Sequence, residues 1–114
     1  MARNMSFAMT TKQVAERSKT VTRRFGWWFL KPGDMVQPVE KAMGLRRGEK
    51  IKKLGGLIRI VNVRKEHLYM ITNDDCIKEG FPDYTPDDFA YMMVNYYNNC
   101  DFYTQVNRIE FEYI

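Results

Sequence analysis

Gly56-Leu57-Ile58-Arg59-Ile60-Val61-Asn62-Val63-Arg64 is the clearest strand in the chain, and the rest of the fold is placed around it. Its β-branched residues fit a pleated surface better than a helix, and the glycine pair Gly55-Gly56 marks its entry. Immediately upstream, residues 41–56 hold Lys41, Arg46, Arg47, Lys50, Lys52 and Lys53 among the glycines Gly44, Gly48, Gly55 and Gly56, which reads as a mobile cationic connection. Before that connection, Met35-Val36-Gln37-Pro38-Val39-Glu40 reads as a strand. Pro38 should confine it to an edge or a bulge, because proline has no N–H for a ladder. It is entered through Lys31-Pro32-Gly33-Asp34, a turn in which proline presets φ and glycine accepts a positive φ. Further upstream lie a strand over Lys19–Arg24, a short helix opened by Thr10 with Gln13 and running to about Ser18, and a short apolar strand over Ser6–Met9.

Downstream, Thr72 with Asp75 predicts a capping box, and Gly80 after Glu79 ends that helix. Thr85-Pro86-Asp87-Asp88 opens a second helix to about Asn98, with proline at its first turn. Thr104 to Tyr113 alternates Val106, Ile109 and Phe111 with polar residues and gives the last strand. The order β-α-β-β-β-α-α-β predicts a small α+β domain, residues 1–114, around a curled sheet resembling a partly open β-barrel. The mouth of such a barrel is a common place for a pocket.

Composition narrows the class. The chain has 114 residues, 45% hydrophobic and 28% charged, which suits one globular domain and not disorder. No apolar run approaches the roughly 18 residues of a membrane span, and no secretory h-region follows Met1-Ala2-Arg3-Asn4, so a cytoplasmic protein is expected. Cys76 and Cys100 are then reduced thiols. The net charge of +4 conceals an asymmetry: residues 1–65 carry sixteen Lys and Arg against four Asp and Glu, and residues 66–114 carry two against ten. Either one cationic face meets a polyanion, or the two halves neutralise each other across the fold.

Metal chemistry is not expected. His67 is the only histidine, the cysteines are far apart, and no HExxH or CxxC spacing occurs. The glycines have neither Walker nor dinucleotide spacing, and no cofactor is expected. The chemically interesting stretch is Lys19-Thr20-Val21-Thr22-Arg23-Arg24. As a strand it puts Thr20, Thr22 and Arg24 on one face, with Lys19 at the entrance and Val21 in the core. A hydroxyl beside a lysine is either a nucleophile with its base or a phosphate clamp. The plainer alternative is that both threonines are strand formers and Lys19 a solvated flank. Trp27 and Trp28 are candidate stacking platforms or core residues. Phe89, Tyr91, Met92, Met93, Tyr96 and Tyr97 recur at helical spacing and read mostly as packing. Glu79 stands out, because a carboxylate at a helix C-terminus opposes the macrodipole.

Taken together, Lys19–Arg24, the Lys31–Asp34 turn, the Ile58–Val63 strand, Glu79-Gly80-Phe81 and Arg108-Ile109-Glu110-Phe111 resemble the ASCH domain family, over nearly the whole chain. The resemblance implies a small PUA-like β-barrel with flanking helices and a link to RNA. Some small members are amidohydrolases that remove the acetyl group of N4-acetylcytidine with a lysine, a threonine three residues later and a glutamate on a downstream helix. By motif position these fall on Lys19, Thr22 and Glu79, with Arg24 matching a nearby arginine. Thr20, Arg23, Arg24, Trp27, Trp28, Lys50, Lys52 and Lys53 are then the candidates for holding a modified nucleoside or RNA. Other members resemble RNA-binding modules, and ribonuclease activity has been suggested for the family, so a binding-only protein is the alternative. Trp27-Trp28 and the basic segment Lys41–Lys53 depart from the compact amidohydrolases, and they either suit a longer polyanionic substrate or partly close the pocket.

Overall fold

The computed structural model describes residues 2–42 and 44–114, so Met1 and Met43, the latter inside the expected cationic connection, lie outside the described residues. The elements are β1 (Arg3–Ser6), α1 (Thr11–Ala15), β2 (Val21–Arg24), β3 (Met35–Val39), β4 (Ile58–His67), α2 (Asn73–Lys78), α3 (Pro86–Tyr96) and β5 (Gln105–Tyr113). This is the order expected from the sequence. One sheet contains all five strands in the order β1-β3-β4-β5-β2, with β1 and β3 parallel and the other pairs antiparallel. β1 and β2 are its two edges, so the sheet is mixed and does not close into the barrel that the sequence suggested.

Several local expectations change. The first strand ends at Ser6, and Ala8–Thr10 turns as a 3-10 helix into α1. Thr10 makes no side-chain cap, and Gln13 does not return to it. Gln13 Nε2 instead donates to the Gly80 carbonyl at 3.1 Å, tying α1 to the end of α2. Pro38 does not lie on an edge strand: β3 runs between β1 and β4. Its missing N–H is tolerated because β4 pairs only with Met35 and Val36, and beyond them the Pro38 carbonyl accepts from the Leu54 N–H. Thr72 caps α2 by accepting from the Asp75 N–H, but the Asp75 carboxylate is turned elsewhere, so the box is half made. The Thr85–Asp88 box is complete.

Two apolar clusters flank the sheet. Met5, Phe7, Val14, Ile58, Ile60, Ile109 and Phe111 form one, and Leu68, Ile71, Cys76, Phe89, Met93 and Val106 pack under α2 and α3 in the other. Gly80 has φ +96, and a Cβ there would meet Gln13 Cγ at 2.8 Å. Gly80→Ala should therefore cost about 2 kcal/mol from the left-handed backbone alone, before the clash is counted. A urea midpoint unchanged by that substitution would contradict this packing. No helix among the described residues is long and apolar enough to cross a membrane.

Candidate functional site

The segment between α1 and β2 positions Lys19. The N–H groups of Ser18 and Lys19 both reach the Gln13 carbonyl, and the Thr20 N–H donates to the Lys78 carbonyl at 2.7 Å. The Tyr113 hydroxyl, pushed up to about 12 by burial, donates to the Lys19 carbonyl at 2.5 Å. The chain is thereby pressed against the C-terminus of α2. There Lys19 Nζ donates to both the backbone carbonyl and Oε1 of Glu79, each at 2.7 Å. Both side chains are 3% exposed. An ammonium on the last carbonyls of a helix complements the macrodipole, which removes the electrostatic objection to Glu79 standing there.

Arg23 completes the buried group. Its Nη1 donates to Glu79 Oε2 at 3.0 Å, its Nη2 to Asp75 Oδ2 at 2.5 Å, and its Nε to Glu66 Oε1 at 3.0 Å. A further contact joins Nη2 to Glu66 Oε1. In register, Arg23 lies directly opposite Arg108 on β5, and two like charges so placed repel. Asp75 resolves this by accepting from both: Arg108 binds it through Nε at 2.7 Å and Nη2 at 2.9 Å. The paired guanidinium of Arg108 holds the Asp75 carboxyl well below its ordinary range and is itself raised by it. Three cations, Lys19, Arg23 and Arg108, thus face three carboxylates, Glu66, Asp75 and Glu79, and no buried side-chain polar atom among the described residues lacks a partner. Two cations of the basic half, Lys19 and Arg23, are thereby neutralised by carboxylates of the acidic half.

Strand alternation sends Lys19 and Arg23 toward α2, and Thr22 and Arg24 to the opposite face. The Thr22 hydroxyl accepts from Arg24 Nε at 3.0 Å, and the Arg24 guanidinium lies over the Phe7 ring at 4.7 Å. Because β2 is an edge strand, both sets of side chains reach a single cavity of about 910 Å³. Lys19, Thr22, Arg23, Arg24 and Glu79 line one side of it; Phe81, Phe89, Met92, Met93, Tyr96 and Tyr97 supply an apolar and aromatic side. The α3 residues expected mostly to pack therefore divide: Phe89 and Met93 do so while also facing the cavity, Tyr96 is exposed at the cavity, and Tyr91 is exposed outside it.

Lys19 is not a solvated flank. Burial pushes its ammonium down, and this outweighs the opposing attraction of Glu79; Arg24 and Arg23 push the same way. A lysine so perturbed can shed its proton and act as a base. No hydrogen bond joins Lys19 to Thr22 among the described residues: each uses a different partner, Glu79 for the amine and Arg24 for the hydroxyl.

The remaining expectations separate. Trp27 lines the cavity and packs on the first cluster, with φ +58 and its carbonyl held at 3.0 Å by Asn107 Nδ2. Trp28 lies outside the cavity, 52% exposed, with Lys65 Nζ over its ring. Thr20 does not line the cavity, and its backbone bonds Lys78 and Phe111. Lys50, Lys52 and Lys53 are exposed and also outside it, although Lys41 from the same connection reaches it. His67 is a packing residue whose Nδ1 donates to the Tyr103 carbonyl at 2.7 Å. Asp75, Glu66, Arg108 and Arg3 were not singled out as site residues by the sequence; Asp75 carried a signal that pointed to a cap, and Arg108 stood in one of the stretches that carry the resemblance. Cys76 and Cys100 are free, and no cluster of metal-ligating side chains occurs among the described residues.

No family model and no curated protein matches the sequence. Among solved structures, the chain is similar to protein EF3133 from Enterococcus faecalis V583, described under the family model DUF984. The TM-score is 0.64 at 14% identity, over 100% of this chain and 76% of that one. At that identity the likeness is one of fold.

Proposed function

We propose that this chain is an ASCH-type, PUA-like hydrolase that cleaves the amide of an N4-acylated cytosine, with N4-acetylcytidine as its model substrate. The observation that carries this reading is the 2.7 Å contact between Lys19 Nζ and Glu79 Oε1, side chains 60 residues apart that meet, buried, at a cavity that Thr22 also lines. The cavity volume falls in the range of small-molecule sites, and its aromatic side suits a flat base.

Thr22 Oγ1 attacks the acetyl carbonyl, and its proton passes to Lys19, directly or through one water. Arg24, already bonded to that oxygen, has no carboxylate partner among the described residues and stabilises the charge that develops on the carbonyl oxygen. The C–N bond breaks as the Lys19 proton is relayed through Glu79 to the leaving amine. Water then hydrolyses the threonine ester, and acetate leaves.

Incubating the pure protein with a panel of N4-acylated nucleosides and following release of the free base and acid tests this directly. The pH profile tests the base. Since Lys19 must be neutral to act and its proton affinity is lowered, kcat/KM should rise with pH along a limb centred below the ordinary lysine value of 10.5. A pH-independent rate would exclude Lys19 as the base. A binding-only RNA module is favoured by one observation, the exposed lysines Lys50, Lys52 and Lys53 outside the cavity. It requires that no acylated nucleoside be consumed and that RNA affinity fall steeply with salt.

A further inference from the structure

β1 is an edge strand, and the cavity runs along it: Asn4 and Ser6 are among its lining residues. The register against β3 fixes which main-chain groups the free edge presents. Successive peptide units of a strand point opposite ways, so a residue bonded to its neighbour alternates with one whose N–H and C=O both face outward. The N–H of Phe7 donates to the Val39 carbonyl at 2.9 Å, which turns the main-chain groups of Met5 and Phe7 toward β3. Those of Asn4 and Ser6 therefore face away from β3. Neither the Asn4 carbonyl nor the Ser6 N–H has a hydrogen-bond partner among the described residues.

This open edge stands next to the reacting groups. Arg24 donates to Thr22 Oγ1 at 3.0 Å, and its guanidinium lies 4.7 Å from the ring centroid of Phe7, the residue after Ser6. That contact joins β2 to the end of β1, the two edges of the sheet, beside the cavity. We infer that the main chain of β1 reads the cytosine, the Asn4 carbonyl accepting from N4–H and the Ser6 N–H donating to N3. This rests on the hydrolase reading above and supplies its base specificity. A monoacylated N4 keeps one hydrogen, and the acceptor N3 lies beside it on the Watson–Crick edge. The carbonyl and the N–H that flank Met5 are the complementary acceptor and donor. Uracil presents the reverse, an oxygen at C4 and a hydrogen on N3, and sets like poles against both. The acyl group, on the other bond of N4, then points away from β1 toward Thr22. With four residues, β1 suits a short planar edge better than an added peptide strand.

The test is calorimetric binding of cytidine, uridine and 3-deazacytidine, in which a C–H replaces N3, set beside hydrolysis of N4-acetylcytidine. The wild-type chain should bind cytidine about 5- to 50-fold more tightly than 3-deazacytidine, and uridine no better than the deaza analogue. Ser6→Pro removes an N–H that makes no ladder bond, a position where an edge strand accepts proline, and should erase the preference. Ser6→Ala returns the N–H and should restore it. A circular dichroism melt checks each fold. Should the proline variant unfold, an ester in place of the Ser6 amide removes the same N–H with the side chain kept, and the same loss is expected. Equal affinities in the wild type, a preference that survives loss of the N–H, or no binding of any nucleoside would overturn the inference. Hydrolysis of N4-acetylcytidine without a preference for N3 would overturn it and leave the hydrolase reading standing. A preference that is lost with the N–H, in a protein that consumes no acylated cytosine, would keep the inference and defeat the hydrolase reading.

Discussion

Thr22→Val should lower hydrolysis of N4-acetylcytidine by about a hundred- to ten-thousandfold or more, with the fold intact. Valine keeps the volume and the β-branching that suit an edge strand but has no oxygen to attack with. Arg24 loses one acceptor and keeps its place over Phe7. Thr22→Ser should restore much of the rate, because the hydroxyl returns. Lys19→Ala should be equally inactive but is a less clean test. It leaves Glu79 buried with Arg23 as its remaining cation, and uncovering one side of a buried pair destabilises by about 3–5 kcal/mol. Rates from a stopped assay with product separation decide the matter, and a Thr22→Val protein that still turns over would remove Thr22 from the mechanism.

The largest stability effect is expected at Asp75. Asp75→Ala leaves Arg23 and Arg108 facing each other across β2 and β5 with no carboxylate between them, and should cost about 3–5 kcal/mol. The linkage has a definite sign. The folded-state affinity of Asp75 for protons lies below its ordinary 3.8, so its contribution is fully present above that value and is lost as pH falls below it. The wild-type chain should therefore lose denaturant stability on acidification below about pH 4, and Asp75→Ala should flatten that loss. Equal urea midpoints for the two proteins at pH 7 would mean that the network contributes no net stability.

What the sequence made legible follows from locality. β-branched runs, the Thr85–Asp88 box and the positive-φ glycines Gly33 and Gly80 are local signals, and they yielded the element order correctly. The pairing of strands is not local. Nothing near Pro38 announces that β4 pairs with only the first two residues of β3, so an internal proline read as an edge or a bulge. Nor does any spacing place Arg23 opposite Arg108, which is a consequence of the β2–β5 register. The buried charge cluster was hidden for the same reason: Asp75 three residues after Thr72 has the form of a cap, and only the folded chain shows its carboxylate turned inward. Lys19, Thr22 and Glu79 took their roles from resemblance to a motif, supported by two physical clues, the hydroxyls beside a lysine on one short strand and the misplaced carboxylate at the end of α2.

The most direct measurement is the mass of the wild-type protein rapidly quenched in acid during its first turnover of N4-acetylcytidine, before water hydrolyses the ester. A covalent acetyl group mapped by peptide sequencing to Thr22, with free cytidine released in equal amount, is the predicted result. Release of cytidine without any acetylated Thr22, by a protein in which Thr22→Val remains active, would contradict the account.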